Sequence, residues 1–140
     1  MSIANVMSGV YGELTDASVT ALLSQAYSVP AVFTDVPQPA DAGATGGFPF
    51  IAYGLQSLVP YNDKTRPGGN ALVRVAIYAR AASDDTMNGI IDAVRLQMER
   101  SDLGGLAGRV TVELESANVA DDPDGRTRQC VMLWRVLYLT

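Results

Sequence analysis

The chain has 140 residues, 48% of them apolar and only 18% charged, with a formal net charge of −5 and no histidine. That apolar share excludes general disorder, and the acidic balance lacks the basic footprint needed to grip nucleic acid. The charged share lies below the ordinary value of about 25%, so the surface carries less charge than a free monomer usually does. The length fits a single domain, 1–140, that buries roughly two-thirds of its unfolded surface.

Ile3, Val6, Met7, Val10, Tyr11 and Leu14 recur at helical spacing and predict an amphipathic first helix. Asp16 is a good N-cap for a second stripe, Val19, Leu22, Leu23, Ala26 and Tyr27, which Pro30 closes. Residues 31–36 predict a short strand stopped by Pro37 and Pro39, and residues 41–47 a glycine-rich loop. A second strand is expected over Pro49–Gly54. The run from Val59 to Asn70 then reads as a polar loop, longer than the common connection of about 4–6 residues.

Leu72 to Arg80 alternates as a strand, with Val73, Val75, Ile77 and Ala79 on one side. Ser83 is placed as the cap of the main helix. Asp84 and Asp85 sit in its first turn, and Met87, Ile90, Ile91, Val94 and Met98 form its buried stripe. Gly104-Gly105 stops it. The last third reads as one long hairpin: 109–119, a turn over Asp121-Asp122-Pro123-Asp124-Gly125, and a returning arm to Thr140. The arm from Arg128 to Leu139 is about twice the usual strand length and apolar on both sides, so both sides need cover. Helices of one small domain cover one side; the other asks for a partner subunit. The expected fold is α+β: an antiparallel sheet with a long C-terminal hairpin, packed against two to three helices.

Chemistry finds little to work with. Without an imidazole the usual activated nucleophile is closed off, and zinc loses its commonest nitrogen ligand. Glu113 and Glu115 read as a hydrated strand side, and Asp121, Asp122 and Asp124 as a turn lacking calcium-loop spacing. Neither glycine group precedes a Lys-Ser/Thr pair, so no phosphate loop is present. Cys130, the lone cysteine, cannot form an internal disulfide and reads as a small buried hydrophobe. No signal peptide is legible at the N-terminus, and no apolar run approaches the roughly 20 residues of a membrane span. Synthesis in a reducing cytosol is the expectation, with no catalytic residue, cofactor or metal assigned. Trp134 and Tyr138 share one side of the last strand, Trp134 being placed in the core.

Four segments in this order also resemble a known family. They are Val32-Phe33-Thr34-Asp35-Val36-Pro37, Phe48-Pro49-Phe50-Ile51-Ala52-Tyr53-Gly54, Val73 to Arg80 with the helix after it, and Asp124-Gly125-Arg126-Thr127-Arg128 before the last strand. Together they resemble the tail-completion, or tail-terminator, proteins of long-tailed bacteriophages. The resemblance implies a virion structural protein of the tail neck, assembled in the host bacterial cytoplasm. It implies a ring of six subunits that caps the tail tube, ends its polymerisation and offers a face to the head-tail connector. DNA would pass through without specific binding, and no membrane is involved. The acidic balance suits such a lumen. Tyr61, Lys64, Arg66, Arg128, Leu137 and Leu139 are the candidate interface residues. Two alternatives stay open: another neck ring, such as a head-closure or joining protein, and a small-ligand binding module.

Overall fold

The computed structural model describes residues 3–35, 47–60, 67–80, 85–99, 101–103, 110–121 and 127–139. In chain order the elements are α1 (Ile3–Leu14), α2 (Ala17–Thr20), β1 (Val32–Phe33), β2 (Phe50–Pro60), β3 (Gly68–Ala79), α3 (Asp85–Met98), β4 (Val110–Asp121) and β5 (Arg128–Leu139). The strands form one sheet in the order β1-β2-β3-β5-β4. Every neighbouring pair is antiparallel except β1 with β2, which is parallel. The architecture is α+β, with a mixed sheet and three helices on one side of it.

Alternation along the strands decides what that side contains. Ala71, Val73, Val75 and Ile77 of β3 and Cys130, Met132, Trp134 and Val136 of β5 are all fully buried. They are register partners of one another, and residues in one cross-strand row share a face. Against them pack Val6, Val10 and Leu14 of α1 and Met87, Ile90, Val94 and Met98 of α3. These are the stripes that helical spacing predicts, with Ile91 only half-buried. Gly9 lets α1 come close to the segment after α3: a Cβ there would lie 2.7 Å from the Leu103 Cβ and carbonyl oxygen. Asp16 caps α2 as expected, its carboxylate accepting from the Ser18 N–H at 3.0 Å.

Of the two forms open to the second stripe, a short separate helix or a bent continuation of the first, the structure has the short helix, a single turn. Two expectations change. The first strand shrinks to Val32–Phe33, whose register partners are Ile51 and Ala52. The long loop loses both ends to the sheet: β2 runs on to Pro60 and β3 starts at Gly68, with Val59 opposite Asn70 and Pro60 opposite Gly69. The alternation of β2 breaks between Leu55 and Ser57, where a bulge inserts Gln56. That break hides the continuation from a period-2 reading. Ser83 and most of the Asp121–Gly125 turn lie outside the described residues. No helix among the described residues is long and apolar enough to cross a membrane.

Candidate functional site

The opposite side of the sheet carries Leu72, Arg74, Ala76 and Tyr78 from β3 and Gln129, Val131, Leu133, Arg135, Leu137 and Leu139 from β5. Every one of these but the buried Ala76 is partly exposed, and no described helix packs over them. At one end the side is closed by aromatic rings. Phe50 stacks on Tyr78 at 4.9 Å, Phe33 meets Tyr27 edge-on at 4.9 Å, and the Arg80 guanidinium lies 4.3 Å above the Phe48 ring. Arg80 Nε also donates to Thr127 Oγ1 at 2.8 Å, which holds β3 to the start of β5. In the middle, Arg135 donates to both oxygens of Glu115 at 2.8 and 2.9 Å and to Asn70 Oδ1 at 2.7 Å. Glu115 is the residue inserted where β4 bulges between Leu114 and Ser116.

The sheet has two open edges. β1 covers β2 only at Ile51 and Ala52, so from Tyr53 onward the outer edge of β2 has no neighbouring strand among the described residues. A notch of about 220 Å³ opens where β1 ends, lined by Thr34, Tyr53, Gly54, Gln56 and Arg74 among others. Beyond it Leu55, Leu58 and Val59 are 42%, 43% and 57% exposed. The other edge is β4, whose half beyond the bulge is exposed from Ala117 to Asp121 and includes Val119, 55% exposed. Unpaired strand edges with apolar side chains are templates for pairing.

Of the residues singled out in the sequence, Leu137 and Leu139 lie half-buried on the uncovered side. Arg128 sits at the end of the hairpin, 3.1 Å from Asp121. Tyr61, Lys64 and Arg66 lie outside the described residues. Sequence reasoning misses the apolar residues of the two edges, Leu55, Leu58, Val59 and Val119. A signal for β2 is present, apolar residues beside a Pro-flanked polar run, but a strand ended at Gly54 discards it.

Trp134 is fully buried and Tyr138 nearly so, on the same side of β5 as expected. The Cys130 thiol is buried, and that burial pushes its pKa up, away from thiolate reactivity. Among the described residues no group of three or more acidic or cysteine side chains is placed to hold a metal ion.

Among the described residues this protein has a sheet with one helix-covered side, one side covered only at its aromatic end, and two edges without a full neighbouring strand. Its class is that of structural proteins of phage-type tails. The chain belongs to the family of the tail completion protein gp17, whose family model matches residues 13–139. In fold it is similar to a chain of the virion of a native gene transfer agent particle, with a TM-score of 0.73 over 94% of this chain and 92% of that one. The two are 22% identical in sequence, so that likeness is one of fold. No curated protein matches the chain.

Proposed function

We propose that this protein forms a ring, six subunits in the finished particle, that caps the tail tube at its head-proximal end. The ring ends polymerisation of the tube protein and presents its other face to the head-tail connector. DNA passes through the lumen without specific binding, and assembly takes place in the cytoplasm of the bacterial host. The observation that carries this reading is the pair of sheet edges without a neighbouring strand among the described residues, β2 from Tyr53 onward and β4, on which Leu55, Leu58, Val59 and Val119 are exposed. Membership of a tail-completion family supports the place in the particle. A heterologous contact, one surface meeting a different surface of the next copy, closes a ring when the rotation fits.

Electron microscopy of particles carrying a tagged copy tests it. A ring at the head-proximal end of the tube is expected, and tubes of uncontrolled length are expected when the gene is deleted. A tag found on the head side of the connector, with tube length unchanged on deletion, would assign the protein to head closure instead.

A further inference from the structure

Resting on that ring, we infer how it closes: the free half of β4 pairs antiparallel with the free half of β2 in the next copy. The sheets then run on from subunit to subunit, with the helices outside and the bare side facing the lumen.

The first support is where the free halves lie. Pro60, Gly69, Tyr138 and Val110 form one cross-strand row, and Phe50, Tyr78, Gln129 and Ala120 form a row near the opposite end. The open part of β2 ends in the first row; β4 has no outer neighbour along its length among the described residues, and the part of it exposed on both sides, from Ala117 to Asp121, leads to the second row. They occupy diagonally opposite corners of the sheet. A sheet that closes on itself needs strands tilted by about 35–45° from its axis, so its joining edges must be offset along the strands.

The side chains then limit the offset, and the tilt selects within those limits. Leu55, Leu58 and Pro60 of β2 are in register with Val73, Ala71 and Gly69 on the helix side. On β4 the helix-side residues are Leu114, Ala117, Val119 and Asp121, opposite Trp134, Met132, Cys130 and Arg128. Paired residues share a face, so only even offsets are allowed. An offset of about four residues, some 13 Å over four strands spanning about 19 Å, gives a tilt of about 35°. It sets Val119 against Leu55 and Ala117 against Leu58 on the helix side. On the other side it sets Asn118 against Ser57 and Ala120 against Gly54. The two most exposed apolar side chains of the facing helix-side edges, Val119 at 55% and Leu58 at 43%, are both covered. A larger even offset brings Asp121 onto Leu55. Charge also disfavours β4 pairing with a second β4, since Glu113, Glu115 and Asp121 are its charged residues and all are acidic. β2 carries no charge.

Backbone direction and handedness agree. The Ile51 N–H donates outward to the Ala31 carbonyl at 2.9 Å, and Ile51 is a helix-side residue. The helix-side residues of β2 therefore present their N–H and C=O groups at its outer edge. The same chirality turns those of β4, which runs the other way on the opposite edge, outward too. Leu55 and Val119 thus meet as a hydrogen-bonded pair. Seen from the helix side with β2 running upward, that geometry puts β1 to the right of β2. The next copy joins there, raised by the offset, so strands lean right as they rise. This is the right-handed coil that strand twist gives a closed sheet; helices on the inside would need the opposite lean. Six such steps of about 23 Å enclose a lumen about 45 Å across between backbones.

Paired cysteines test the contact in particles. Cα atoms of a hydrogen-bonded antiparallel pair lie about 5.5 Å apart, within disulfide reach. In Leu55→Cys/Val119→Cys particles, mild oxidation should give a ladder of linked subunits up to the full ring, and Leu55→Cys/Thr111→Cys should give none. Val119→Pro is the second arm. It removes an outward N–H that no described strand of its own subunit uses, so the variant should melt like wild type and yet be absent from particles. Rings at the tube end that give no ladder in the Leu55→Cys/Val119→Cys variant, or Val119→Pro rings of normal yield, would overturn the edge pairing and leave the ring itself standing. Particles with no ring of this protein would overturn both.

Discussion

Tyr138 lies flat against Gly69: a Cβ on the glycine would come within 2.6 Å of two ring carbons and the hydroxyl oxygen of the tyrosine. The two are register partners on β5 and β3, and Tyr138 is 7% exposed. Gly69→Ala forces that ring to move. The expected cost is about 1–3 kcal/mol, the ordinary range for overpacking, read as a lower midpoint in denaturant. Combined with Tyr138→Leu the alanine should cost clearly less than it does alone, since contacting residues are not additive. Equal costs in both backgrounds would show that the ring is not what the alanine meets.

Trp134 is fully buried, and its indole N–H has no hydrogen-bond partner. Trp134→Ala should cost about 3–5 kcal/mol. Trp134→Phe should cost markedly less, because it keeps most of the buried ring and removes the orphaned donor. As the lone tryptophan, it also reports the transition: native emission should be blue-shifted and move to the red on unfolding. Chemical denaturation followed by fluorescence checks both.

Cys130 links pH to stability. Its folded pKa is raised from the thiol value of 9.0 by burial. A raised folded pKa means the contribution is intact below the unfolded pKa and is lost as pH climbs above it, where the unfolded chain gives up its proton first. Stability should fall across the range above about pH 9, and Cys130→Ala should flatten that fall. A thiol reagent at neutral pH should react at the rate of global or local unfolding and not before.

Arg135 and Glu115 make the best-formed ion pair of the uncovered side, yet their side chains are 38% and 43% exposed. Glu115→Gln should therefore change stability by less than about 1 kcal/mol. A larger loss would mean that the β4 bulge depends on the pair to form.

The polar run that holds Lys64 and Arg66 is a proposed contact with the tail tube or the lumen. Lys64→Ser/Arg66→Ser should leave the melting temperature unchanged and lower the yield of finished tails. A fall in melting temperature with normal tail yield would give the run a role in folding instead.

Much of this protein is written locally. The stripes Val6–Val10–Leu14 and Met87–Ile90–Val94–Met98 fix two helices and the sides they bury, because helical spacing puts i and i+4 together without reference to the rest of the chain. Alternation fixes β3 in the same way, whereas β5 is legible as an overlong strand that is apolar on both sides. Other features are decided only by tertiary structure. Val32–Phe33 is a strand only where Ile51 and Ala52 lie beside it. Residues Leu55–Pro60 remain in the sheet because β3 holds them through a bulge that breaks their own pattern. The open edge of β2 beyond Ala52 and the exposed end of β4 exist in no single segment. They follow from how far β1 reaches along β2 and how β4 is set against β5, and those registers are set by contacts between residues far apart in the chain, which no local period can encode.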